Sequence, residues 1–320
     1  MPEPAAAPRA PESAVCAVVV THHPDLALLT ALLDALAAQV GRVVVVDNAS
    51  PASEVHTACA ARPEVEWLPL PENRGLATAL NRGIAYARTL PQVSHVLLMD
   101  QDSVPEPGMV AALKTALQHL SESTRVAAVG PRYRDPREDG DASFVRIRFP
   151  FNRKIACQGD CDEVACDFLI TSGSLIPLAV LDAVGGMDDG LFIDNVDLEW
   201  CFRAAGRGYG LFGVCAARMR HHHGAERRRL PGVARGIVVH PPARLFYMMR
   251  NRVLLYRRPY TPTRWVAQDL PRVVVKLLLF SLLVAPRRAN LRCMLRGLQA
   301  GVRGQAGALL GRADPGDCDA

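Results

Sequence analysis

Four short apolar runs in the first 130 residues each lead into polar residues of the kind that hold ligands, and this pattern constrains the fold most. Residues 14–20, 42–46, 65–68 and 95–99 are rich in Val and Leu and read as buried strands. Residues 26–38 read as a helix, because Leu26, Leu29, Leu33 and Leu36 recur at helical spacing behind Pro24 and Asp25. Residues 76–90 and 108–120 read as further helices, and 125–129 as another strand. This alternation predicts an α/β fold with a mostly parallel central sheet flanked by helices. In such sheets ligands sit beyond the carboxyl ends of the strands. The sequence places Thr21-His22-His23, Asp47-Asn48, Asn73 and the Asp100/Asp102 pair there. One acid at a strand end means little; four polar ends in succession predict a shared pocket.

Beyond residue 130 the pattern loosens. Residues 131–168 are polar and irregular, and read as a long loop or ragged hairpin. Apolar runs resume at 168–176, and Asp188 and Asp189 follow Gly185-Gly186 as turn residues. A helix is expected over 198–205 and a strand over 210–217, ending near His221-His222-His223. Adjacent side chains point in different directions, so one of these histidines, His221, is the candidate for the pocket and the other two read as solvated. From Pro242 onward the chain reads as helices rich in Arg and Leu.

Charge is distributed unevenly. Residues 1–249 hold 24 Lys and Arg against 28 Asp and Glu, whereas residues 250–320 hold 13 against 4. The positive charge belongs to the C-terminal part, which leaves a nucleic-acid partner for the whole chain without support. Residues 273–285 form an apolar run with Lys276 inside it, short of the roughly 20 residues needed to cross a bilayer. Four arginines precede it from Arg257 to Arg272 and four follow from Arg287 to Arg296. That arrangement suits either a helix lying in the interface of an anionic membrane or a buried helix of a C-terminal subdomain. The nine cysteines include no pair at zinc-ligand spacing. They read as reduced thiols of a cytosolic protein, Cys157, Cys161 and Cys166 among them. Residues 1–13 lack the apolar core of a signal peptide and read as a disordered lead-in.

Asp100 and Asp102 stand at i and i+2 just past a buried strand. As the chain leaves the sheet, that spacing can aim both carboxylates at one cation. Hard oxygen ligands suit Mg²⁺ or Mn²⁺. A departing nucleoside diphosphate needs such a cation to stabilise its charge.

The ordered motifs resemble glycosyltransferase family 2, with its nucleotide-sugar fold called GT-A, and more narrowly the bacterial rhamnosyltransferases. They are Thr21-His22-His23-Pro24, Val46-Asp47-Asn48-Ala49-Ser50, Glu72-Asn73-Arg74-Gly75-Leu76-Ala77, Asp100-Gln101-Asp102-Ser103, Thr171-Ser172-Gly173-Ser174 and Phe192-Ile193-Asp194-Asn195-Val196-Asp197-Leu198-Glu199-Trp200-Cys201. The resemblance covers roughly residues 14–258. It implies an inverting, metal-dependent transfer of a deoxysugar, L-rhamnose from a dTDP donor, to a glycan or lipid-linked acceptor. It implies that Thr21, Asp47, Asn73 and Gly75 bind the donor nucleotide, with Asp100 on its diphosphate. Asp100 and Asp102, with His221, would hold the metal. Ser172, Gly173 and Ser174 would line the sugar and acceptor region. Many relatives carry Glu-Asp where this chain has Asp194-Asn195, and an amide takes no proton, so the general base is either Asp194 or Asp197. The implied organisation is a nucleotide-sugar-binding half over 14–130, an acceptor-binding and catalytic half over 131–240, and a basic helical extension over 241–320. The cysteine usage and the basic C-terminal part, not the resemblance, give the expected location: the cytoplasm, peripheral at the inner face of the cell membrane. Alternatives are transfer of another sugar, a non-catalytic nucleotide-sugar binder, and a nucleotidyltransferase. The last would carry a Gly-rich basic loop where this chain has Thr21-His22-His23-Pro24.

Overall fold

A computed structural model describes residues 12–135, 137, 140–158, 163–222, 227–230 and 233–309. The first half runs β1 (Glu12–Thr21), α1 (Leu26–Ala37), β2 (Val40–Asp47), α2 (Ala52–Ala60), β3 (Val65–Pro69), α3 (Gly75–Ala87), β4 (His95–Asp100), β5 (Ser103–Pro105), α4 (Met109–Ser121) and β6 (Val126–Arg134). Then come β7 (Phe144–Arg146), β8 (Arg153–Ile155), β9 (Glu163–Cys166), β10 (Ser174–Pro177), α5 (Leu178–Val184), a 3-10 turn (Asp189–Leu191), α6 (Val196–Gly206), β11 (Gly210–His221), β12 (Arg227–Leu230) and β13 (Val233–Val238). Three helices close the described chain: α7 (Pro242–Tyr256), α8 (Thr263–Leu282) and α9 (Arg287–Val302).

Among the described residues one large sheet has the order β3-β2-β1-β4-β10-β6-β11-β5, with β9 also on β11. β3, β2, β1 and β4 are parallel neighbours, as are β6 and β11, while β10, β5 and β9 run antiparallel. The sheet is therefore mostly parallel, as expected. Alternation of side chains along each strand splits its valines between two cores. Val18, Val44, Val46, Val96 and Leu98 point to one face, where α3, α5 and α6 pack. Val19, Val43, Val45, Leu97 and Met99 point to the other, beneath α1 and α4. Burial on both faces explains why these strands read as continuous apolar runs. Helix α1 starts where Asp25 accepts from the backbone N–H groups of Ala27 and Leu28.

Several expectations need correction. Helix α2 was missing from the sequence reading, because among its described side chains only Val55 and Cys59 are fully buried, with Ala58 partly so, and the stretch lacks a strong apolar stripe. Of the apolar run 168–176, only the end becomes strand β10; Thr171, Ser172 and Gly173 turn instead into the site. The irregular region beyond 131 contains the end of β6, the β7–β8 hairpin and β9. β11 runs on beyond Ala217 and ends at His221, near the expected point, and its last residues pair with β5. Cys157 is not a free thiol: it forms a disulfide with Cys215, 58 residues away in sequence. Pairing of β9 with β11 brings these distant segments together, and the bond removes the thiol argument for a reducing compartment. Cys16, Cys59, Cys166 and Cys201 are free and buried, and burial pushes the Cys16 thiol up to about 12, which leaves it inert. Cys161, His223 and residues 1–11 lie outside the described residues.

Candidate active site

The sheet assembles the carboxylate pair with a histidine far away in sequence. β4 delivers Asp100 at its carboxyl end, and the chain turns through Gln101 and Asp102 into β5. In the β5–β11 ladder Ser103 lies opposite His221. One ligand atom from each of Asp100, Asp102 and His221 then falls within 4.8 Å of the other two. Ser103 Oγ lies 2.6 Å from His221 Nδ1, and Ser172 Oγ donates to Ser103 Oγ at 2.7 Å. The Asp100 backbone N–H donates to Ser172 Oγ at 3.1 Å. Buried hydroxyls thus brace Asp100 and His221 from behind. Burial, then the Asp102 and Asp197 carboxylates, push Asp100 up to about 7. A divalent cation would relieve that repulsion. Two carboxylates and one imidazole form a donor set that fits Mg²⁺ or Mn²⁺.

The neighbouring strand ends are stapled to each other. Thr21 Oγ1 donates to Asp47 Oδ1 at 2.7 Å, and Ser50 donates to the same carboxylate through both its backbone N–H and its hydroxyl. Asn48 Nδ2 donates to Asn73 Oδ1 at 2.8 Å, which also accepts from the Gly75 N–H. The His22 N–H donates to Gln101 Oε1, and Gln101 Nε2 donates back to His22 O, tying β1 to the Asp100–Asp102 turn. Thr21, Asp47, Asn73, Gly75 and Asp100 therefore share one rim. Gly173, with φ +83°, donates its N–H to Leu98 O at 2.7 Å, so its backbone lies against β4. Ser174 differs from Ser172: its hydroxyl donates to Ile170 O, within its own loop.

The acidic segment closes the site on the side facing the C-terminal helices. Phe192, Asp194 and Asn195 have φ of +63°, +65° and +62°. Such backbone is costly away from glycine and persists only where the surroundings impose it. Here α7 imposes it. Asn251 Nδ2 donates to the carbonyls of Leu191, Ile193 and Asp194, and its Oδ1 accepts from Arg250 Nε. Arg250, 2% exposed, donates to the carbonyls of Gly190, Leu191 and Gly307. From the other side Gly75 supports the loop, since a Cβ at this position would lie 2.5 Å from the Phe192 ring. Replacing Asn251 with alanine leaves buried carbonyls and Arg250 Nε without partners. The expected cost is roughly 1–3 kcal/mol, and urea unfolding of N251A that matches wild type would refute this role.

Asp194 and Asp197 are both in this segment, in different settings. The carboxylate of Asp194 pairs with Arg244, 3.0 Å away. Asp197, in the first turn of α6, accepts from the Leu198 N–H at 2.8 Å. Burial pushes Asp197 up to about 6, partly opposed by the backbone N–H groups around it. Glu199 instead faces the interior and pairs with Arg203. Asp188 accepts from the Gly190 N–H and pairs with Arg258, as suits a turn residue. The sequence reading missed Arg244 and assigned no role to Arg250 and Asn251. These residues lie in an Arg-rich stretch some 50 residues from the loop they hold, and no local signal links them.

Fold and site together define a nucleotide-sugar transferase of the GT-A type, and the comparisons agree. Residues 16–172 match the family described as Glycosyl transferase family 2. The chain carries a family 2 glycosyltransferase domain and is a glycosyltransferase. More narrowly it is rhamnosyltransferase-like: it is 29% identical over 299 residues to the protein described as dTDP-rhamnosyl transferase RfbF of Shigella flexneri, covering 92% of this chain and 97% of that one. Among solved structures it is similar to GalNAc-T7 with UDP, GalNAc and Mn²⁺ (TM-score 0.54, 13% identity, 81% of this chain and 54% of that chain). It is also similar to S. aureus TarS (TM-score 0.52, 15% identity, 84% and 45%). The chain spans about half the length of these two structures, and at such identities the likeness concerns the fold alone.

Proposed function

We propose that the protein transfers L-rhamnose from dTDP-L-rhamnose to a hydroxyl of a glycan or lipid-linked glycan, with inversion, in the cytoplasm at the inner face of the membrane. The observation that carries this reading is the Asp100–Asp102–His221 cluster beside the buried Asp197 carboxylate, at the strand ends of a GT-A sheet. Thr21, Asp47, Asn73 and Gly75 would receive the donor nucleotide, and Ser172 and Gly173 would line the sugar. Asp100, Asp102 and His221 would hold Mg²⁺ or Mn²⁺. When bound, the cation supplies positive charge against which the diphosphate departs.

Asp197 is the preferred base. The Arg244 guanidinium occupies the Asp194 carboxylate, whereas Asp197 faces no cation among the described residues and burial makes it a stronger proton acceptor than an exposed aspartate. With Asp197 as base, the acceptor hydroxyl loses its proton as its oxygen bonds to the anomeric carbon. The bond to the diphosphate breaks on the opposite face, and a single displacement inverts configuration. Arg244 pairs with Asp194 and adds positive potential near Asp100 and Asp102.

A thermal-shift panel of dTDP-, UDP- and GDP-sugars, with and without Mn²⁺, tests the donor. Preferential binding to the folded state raises the melting temperature, so the expected largest shift is with dTDP-L-rhamnose and Mn²⁺ together. A larger shift with another nucleotide sugar would replace the donor. Metal-dependent binding with no transfer to any acceptor would favour a binding protein instead.

A further inference from the structure

Helix α8 is apolar on two opposite sides, and only one of them is covered. Its inner side sends Trp265, Val273 and Phe280 into the protein. Lys276, which interrupts the apolar run in the sequence, also turns inward, with Nζ 3.9 Å from Met248 Sδ. The outer side carries Leu270, Val274, Leu278 and Leu282 at four-residue spacing, with Val275 beside them, and each is more than half exposed. A water-facing helix surface is ordinarily polar, and an exposed apolar stripe of this length marks a contact surface. Helix α9 continues the theme. Leu291 and Leu295 form one exposed stripe, and Arg287 and Arg288 are exposed at the start of the helix.

Charge identifies what covers this surface. Residues 263–303 contain eight Lys and Arg and a single acid, Asp269. That acid is 3% exposed and paired with Arg252 at 3.0 Å. Within 263–303, therefore, the exposed charge is entirely positive, and it includes Arg287 and Arg288. At the turn into α9 an open hollow of about 470 Å³ is lined by Arg287, Arg288 and Arg292 with Ala285, Pro286 and Ala289. A second copy docked face to face would set arginine against arginine. An anionic bilayer satisfies both components: acyl chains take the leucines, and headgroups take the arginines. Among the described residues no helix is long and apolar enough to cross a membrane. We propose that the outer face of α8 and α9 lies on an anionic lipid bilayer without spanning it. This goes beyond the donor assignment and does not depend on it. It also gives the site an orientation, because α9 packs on α7, and α7 grips the loop that carries Asp194.

The test is co-sedimentation of the full chain with vesicles. One set contains equal parts of phosphatidylglycerol and phosphatidylcholine, the other phosphatidylcholine alone. Wild type is expected to pellet with the anionic vesicles, to lose much of that binding in high salt, and to stay in solution with the neutral ones. Two double variants alter exposed positions only: Val275→Glu with Leu278→Glu, and Arg287→Glu with Arg288→Glu. Each is expected to bind at least about tenfold more weakly, with an unchanged melting temperature showing that the fold is intact. Absence of wild-type binding, equal pelleting with neutral vesicles, or undiminished binding by both variants would overturn the proposal. So would light scattering that shows a dimer which the Val275/Leu278 variant converts to monomer, because a second copy would then cover the face.

Discussion

Asp197→Asn is expected to lower kcat by roughly 10²–10⁴-fold, the range for removing a positioned general base. The amide keeps the shape of the carboxylate and the bond from the Leu198 N–H, so the loss would be one of basicity. The wild-type pH profile provides a second readout. Burial raises Asp197 from its ordinary value to about 6. A base must be unprotonated, so kcat/KM is expected to fall about tenfold per pH unit below about pH 6, and D197N should lack that limb. Stability should move the other way. A carboxylate raised in the folded state binds its proton more tightly there than in the unfolded chain, so ionising it costs stability as pH rises through about 6. The neutral amide removes that cost, and D197N is expected to melt no lower than wild type at pH 8. Substantial turnover by D197N would move the base to Asp194. A matched drop in melting temperature would instead indicate a structural role.

Asp102→Asn is expected to lower kcat at least ~100-fold, the scale seen when a key electrostatic group is removed from an active site. The change leaves the backbone untouched, including the His222 N–H donating to Asp102 O at 3.0 Å. It removes one carboxylate from a cluster in which like charges already crowd Asp100, so the fold should not weaken. The distinguishing measurement is Mn²⁺ titration in the presence of nucleoside diphosphate, followed by the paramagnetic signal of free Mn²⁺. Wild type should deplete that signal at far lower concentrations than D102N. Equal affinity and near-normal turnover would remove Asp102 from the metal site.

Most of the nucleotide half could be read from the chain, for a local reason. Strands of a parallel sheet buried on both faces must be continuous apolar runs, and their ends fall where Asp47 and Asp100 stand. The α1 leucines repeat at helical spacing, and Asp25 caps them, so that helix also announces itself locally. Helix α2 did not, because few of its described side chains reach the core. The serines behind the carboxylate pair could be flagged as a motif, but not as the braces that Ser103 and Ser172 form.

Properties set by near neighbours were therefore legible in the linear chain: the α/β alternation, the strand-end carboxylate pair, the acidic Asp194–Asp197 segment and the basic C-terminal part. Properties set by long-range pairing were not. His221 reaches Asp102 because β11 runs beside β5, and Cys157 meets Cys215 beside the β9–β11 ladder. Arg244 faces Asp194, and Asn251 holds three carbonyls of the loop, because α7 packs across that segment. Pattern along a chain records which side of an element is buried, but not what lies against it. The choice of base depends on that second fact, because what lies against Asp194 is a guanidinium, while Asp197 is buried without one among the described residues.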